Sequence, residues 1–87
     1  MEEILFSIIM PTYNSENTIE LALKSIRMQD LPKESIEILI IDGGSTDRTI
    51  EIARQYDTTI LENPKRFPEY AKRIGFAEAK GRWIVME

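Results

Sequence analysis

Asp42 ends the apolar run "IEILII", Ile36 to Ile41, and two glycines and "STD" follow it. A carboxylate at the mouth of a buried strand can accept hydrogen bonds from a nucleobase N–H or a ribose hydroxyl. Bonds to a charged acceptor are the stronger kind. Gly43 and Gly44 permit positive φ and let a ligand approach the backbone closely. Ser45 or Thr46 can cap a helix starting here, leaving amides near its N-terminus. The same residues also suit a plain turn, in which Asp42 and Ser45 satisfy only local amides.

Two further stretches carry chemistry of a compatible kind. "PTYN", Pro11 to Asn14, follows the apolar run "ILFSIIM". Pro11 is expected to end that strand, and Thr12 and Asn14 fit a turn. Tyr13 offers a flat ring that can pack on a base while its hydroxyl stays wet. "PKRF", Pro64 to Phe67, puts two cations on a loop. Arg66 suits a diphosphate because its fork matches phosphate oxygens; a solvated charge pair is the plainer reading. The chain has no histidine and no cysteine. Ser-His-Asp and Cys-His catalysis, thiolate metal sites and disulfides are therefore excluded, and any base or metal ligand must be a carboxylate.

The elements that must position these residues follow from hydrophobic spacing. Ile4 to Met10 and Ile36 to Ile41 are near-continuous apolar runs, as expected of strands covered on both faces. "NTIE" from Asn17 reads as a capping box, Asn17 capping and Glu20 reaching back, before a helix over 18–29 built on Ile19, Ala22 or Leu23, and Ile26. A helix over 46–56 places Ile50 and Ala53 inward, and 58–61 is a short β-branched strand. Pro68 suits the first turn of a third helix, running to about Lys80 with Tyr70, Ile74 and Ala77 on one face and Gly81 as its C′ residue. "WIVM", Trp83 to Met86, is a fourth strand.

The order β-α-β-α-β-α-β predicts parallel strands, right-handed crossovers and a three-layer α/β/α sandwich around a four-stranded, Rossmann-like sheet. Ligands in such sheets bind beyond the carboxyl ends of the strands, near the point where strand order reverses. Pro11, Thr12, Tyr13, Asp42, Ser45 and Arg66 all fall at those ends.

A net charge of −4 argues against a nucleic-acid partner held by a basic face. The acidic start "MEEILFSIIMPTYN" resembles neither a signal peptide nor a membrane span, so a cytoplasmic chain is expected.

Together, "SIIMPTYNSENTIELALKSIRMQD" and "IEILIIDGGSTDRTIEIA" resemble the amino-terminal part of family 2 glycosyltransferases, enzymes of the GT-A fold. "AKRIGFAEAKGRWIVME" is similar to the stretch leading into that family's acidic metal motif. The resemblance implies a nucleotide-sugar donor, UDP-linked by preference. Pro11, Thr12 and Tyr13 would line the nucleotide pocket, Asp42 would bind the base and Arg66 would approach the diphosphate. It further implies Mg²⁺ or Mn²⁺ in the full-length enzyme, held by an Asp-x-Asp motif that this sequence does not contain, and a later carboxylate as base. Lys72 and Arg73 replace the family's frequent Arg-Asn pair. Residues 1–87 are then one donor-binding unit of a longer transferase, inactive and metal-free alone, with self-association expected through the apolar edge "WIVM". In the full-length protein the unit could lie at the cytoplasmic face of a membrane.

A non-catalytic α/β binding module is the alternative from another class. An actin-like phosphate loop fits poorly because helical periodicity follows "DGGST". A receiver domain fits poorly because paired acids after the first strand are missing.

Overall fold

The computed structural model describes residues 3–87. Strands β1 (Phe6–Thr12), β2 (Ile36–Asp42), β3 (Thr59–Glu62) and β4 (Trp83–Met86) alternate with helices α1 (Ile19–Arg27), α2 (Thr49–Ala53) and α3 (Pro68–Glu78). The strands form one parallel sheet in the order β3-β2-β1-β4. Order therefore runs outward from β1 through β2 to β3, then reverses across β1 to β4. With right-handed crossovers, a reversal of direction moves the connecting helix to the opposite face. That is the arrangement seen: α1 and α2 cover one face and α3 the other.

Alternation along the central strands divides the core accordingly. Ile8, Met10, Ile38 and Ile40 pack beneath Ile19 and Leu23 of α1 and Ile52 and Ala53 of α2. Ile9, Leu39 and Ile41 face the other way, against Ala71 and Ile74 of α3. The register aligns the strand ends that matter. Thr12 pairs with Asp42, and Asp42 pairs with Glu62, so three carboxyl-terminal tips meet along one edge.

The opposite end of the sheet is fastened by polar groups. Ser7, fully buried, donates to Glu37 Oε2 at 2.5 Å and accepts the Gly81 N–H at 2.8 Å. The Lys80 N–H donates to the same Glu37 oxygen at 2.6 Å. Arg27 donates to the carbonyls of Lys33, Ile36, Tyr56 and Asp57, closing two connections at once.

Several expectations change. Pro11 lies inside β1, paired with Ile41. Its missing N–H faces the β4 side, where the ladder stops at Ile9↔Met86, so no bond is lost. No capping box forms: Thr18 is the N-cap and makes no side-chain cap bond. Glu20 instead accepts the Tyr56 hydroxyl at 2.7 Å. Helix α2 begins at Thr49, not near 46, and 54–56 tightens into a 3₁₀ turn. Ile52, not Ile50, is its core isoleucine, and Ala77 of α3 is exposed while Ala71 and Gly75 are buried. The C-cap of α3 is Ala79. Gly81 serves contact rather than a left-handed turn: a Cβ there would lie 2.7 Å from the Ser7 backbone nitrogen.

Candidate nucleotide site at the strand tips

Asp42, the last residue of β2, is only 6% exposed. Its Oδ1 accepts the Thr12 hydroxyl at 2.7 Å and the Ser45 hydroxyl at 2.6 Å. Its Oδ2 accepts the amides of Gly44 at 3.0 Å and Ser45 at 2.7 Å. Burial alone pushes this carboxyl up. The Ser45 hydroxyl and amide, the Thr12 hydroxyl and the Gly44 amide outweigh it and hold the group below the usual carboxylate range. Asp42 is thus an anion whose acceptor positions, about four in a carboxylate, are engaged by the chain itself.

Gly44 makes this possible. At φ 95 it occupies the left-handed region that turns its own amide and that of Ser45 back toward the carboxylate.

The loops after β1 and β2 are laced together. The amides of Asn14, Ser15 and Glu16 donate to Ser45 Oγ, Thr49 Oγ1 and Asp47 Oδ2 at 2.8, 2.7 and 3.1 Å. In the reverse direction, the amides of Thr46 and Arg48 donate to Asn14 Oδ1 and Glu16 Oε1 at 2.8 and 3.1 Å. Asp47 also accepts from the hydroxyl and amide of Thr49. It, too, sits below the usual range: desolvation opposes ionisation, and the Thr49 and Glu16 donors prevail. Asn14, Glu16, Asp47 and Thr49 were not singled out as site residues from the sequence. An Asp two residues before a Thr at a helix start is the signal that was available. Ser45 and Thr46 do not cap α2; Ser45 is committed to Asp42 and Asn14.

Tyr13, 42% exposed, stands at the rim beside this lattice. The Arg66 guanidinium carbon lies 3.8 Å from the centre of its ring. Arg66 Nε donates to the Gly43 carbonyl at 3.0 Å, and the residue holds φ 63. Tyr13, Gly43 and Arg66 thus join three tips, and with Asp42 and Thr12 they form one neighbourhood, as the sequence reading requires. Pro11 is exposed at its edge. A cleft of ≈ 300 Å³ opens between the second and third tips, lined by Asp42, Gly43, Gly44, Glu62, Asn63 and Arg66, with Pro64. Asn63, 3% exposed, donates through Nδ2 to the Phe67 carbonyl. Its Oδ1 is the buried side-chain atom left without a partner among the described residues.

The family model for glycosyl transferase family 2 matches residues 7–86. The chain belongs to that family. It is 34% identical over 86 residues to the poly(ribitol-phosphate) β-N-acetylglucosaminyltransferase TarS of Staphylococcus aureus, covering 92% of this chain and 15% of TarS. The crystal structure of TarS 1–349 in complex with UDP superposes with a TM-score of 0.88 at 30% identity, over 95% of this chain and 26% of that one. Glucosyl-3-phosphoglycerate synthase from Mycobacterium tuberculosis, solved with Mn²⁺, UDP and glucosyl-3-phosphoglycerate, gives 0.73 at 25% identity, over 95% and 32%. The fold is that of GT-A enzymes, and the 87 residues span well under half of these relatives.

Related enzymes have been solved in complex with Mn²⁺, but the described residues do not suit a divalent cation. No group of three or more His, Cys, Asp or Glu side chains converges among them. Mg²⁺ and Mn²⁺ need several oxygen ligands, and Glu87, after β4, offers one carboxylate. No described helix is long and apolar enough to cross a membrane.

Proposed function

We propose that residues 1–87 are the donor-binding part of a glycosyltransferase that moves a sugar from a UDP-sugar to an acceptor hydroxyl. Tyr13 and Asp42 are its base-recognising pair, with Pro11 and Thr12 lining the pocket beside them. The observation carrying this reading is the contiguity of Tyr13, Thr12, Asp42 and Arg66 at aligned strand ends. The bound UDP of TarS 1–349 supports it.

The bonding around Asp42 favours one way for a base to enter. Oδ2 is held by backbone amides that cannot turn away, whereas both donors to Oδ1 are hydroxyls free to rotate. A ligand N–H reaches Asp42 by replacing the Thr12 or Ser45 hydroxyl at Oδ1. One exchangeable position suits a base edge with one N–H, such as uracil, better than an edge that asks for both carboxylate oxygens. Divalent-metal dependence and the acceptor-side base belong to the longer protein.

NMR titration of the chain with UDP tests the reading. Tyr13→Ala and Asp42→Ala are expected to weaken binding at least tenfold. Tyr13 is exposed, so its variant keeps the fold even if removal of Asp42 disrupts the loop. Equal UDP responses in wild type and Tyr13→Ala would sink the proposal.

A further inference from the structure

The face of Tyr13 that a nucleobase would stack on is already covered. The Arg66 guanidinium sits over the ring with its central carbon 3.8 Å from the centroid. Its Nε–H satisfies the Gly43 carbonyl. None of the ion pairs among the described residues involves Arg66. Its backbone is in the left-handed region at φ 63, a conformation that costs a side-chain-bearing residue free energy. Gly43 accommodates it: a Cβ there would lie 2.7 Å from Arg66 Cγ. Backbone, hydrogen bond and packing together hold one flat, N–H-bearing group against one aromatic face.

We infer that Arg66 is a stand-in for the nucleobase. A pyrimidine directing its one N–H to Asp42 would stack on Tyr13, and the guanidinium occupies that ring while the Gly43 carbonyl holds it there. A base therefore enters by displacing the guanidinium. Arg66 consequently opposes nucleoside binding and needs an anion once displaced. A diphosphate supplies that anion and a bare nucleoside does not, so the residue discriminates nucleotides from nucleosides. The diphosphate grip expected from the sequence is then a second position of this side chain, reached only after the first is given up. This inference rests on the nucleotide reading above.

The test compares uridine and UDP on wild type and Arg66→Gly, which removes the side chain while keeping the left-handed backbone. Loss of an exposed cation–π contact corresponds to roughly a two- to fivefold change in affinity. Uridine is expected to bind Arg66→Gly about two- to fivefold more tightly than wild type, with the UDP-to-uridine affinity ratio falling. Uridine affinity that is unchanged or reduced overturns the inference, because it makes Arg66 a bystander or a direct base contact. Within wild type, saturating uridine is expected to shift the Arg66 Nε–H resonance away from its bonded position; a signal that stays put also overturns it. Tyr13→Ala serves as the separate control. If that variant binds UDP normally, the nucleotide reading fails, whatever Arg66 does.

Discussion

A single carboxylate, that of Asp42, ties the tips of two strands and the turn after them together. Asp42 and Asp47 are both depressed below ordinary carboxyl values by donors that outweigh their desolvation. In each case the unfolded chain takes up protons first as pH falls. The stabilisation is complete above about pH 5, declines below it, and is gone once the native carboxyls protonate. Urea midpoints are therefore expected to hold from neutral pH to about 5 and then drop. Asp42→Asn is expected to start lower at pH 7 and to lose less on acidification; an acid slope equal to wild type would contradict this. The sequence marked Asp42 because a charge between an apolar run and two glycines is conspicuous. It could not show that Thr12, thirty residues away, shares the proton acceptor, because that contact depends on strand register. Arg66 was visible as a cation near the site, yet its resting place on Tyr13 belongs to tertiary packing alone.

Elements were read more reliably than their ends. Four apolar runs gave four strands, and the α/β alternation gave the layered sheet. The start of α3 at Pro68 is as expected, whereas the capping box of α1 and the start of α2 go astray because Glu20 bonds Tyr56 and Asp47 bonds Glu16 and Thr49. The α3–β4 connection is held in the same non-local way. Gly81→Ala would drive a Cβ against the backbone of Phe6 and Ser7 at 2.7–2.8 Å. Overpacking of this kind costs about 1–3 kcal/mol, which chemical denaturation will register as a lowered midpoint. Gly44→Ala meets nothing within 4 Å and is penalised only by its positive φ. It is expected to cost about 1–2 kcal/mol and, unlike Gly81→Ala, to weaken UDP binding by misdirecting the two amides at Asp42. If both variants leave UDP binding alike, the loop geometry is not what prepares the carboxylate.

On the scale of the whole molecule, both faces of the sheet are left open at β4. Every residue of that strand is exposed, Trp83 by 60%, and it forms one edge of the sheet. An open, apolar edge strand can pair with another chain. Self-association of these 87 residues is accordingly expected in sedimentation at high concentration, and Ile84→Lys is expected to reduce it. A monomer at all concentrations would remove the edge from consideration.

The reversal of strand order also sets a sequence of assembly. β1, β2 and β3 are neighbours along the chain as well as in space, but β4 returns to β1 across about 77 residues, the span between the paired Phe6 and Trp83. Closing so long a loop is entropically slow and is rewarded only by an exposed strand. The last strand should therefore dock after the barrier is crossed. Ile84→Ala is expected to accelerate unfolding while leaving the refolding rate nearly untouched, whereas Ile38→Ala in β2 slows refolding; stopped-flow kinetics separate the two limbs, and a slowed refolding limb for Ile84→Ala would place β4 in the nucleus instead.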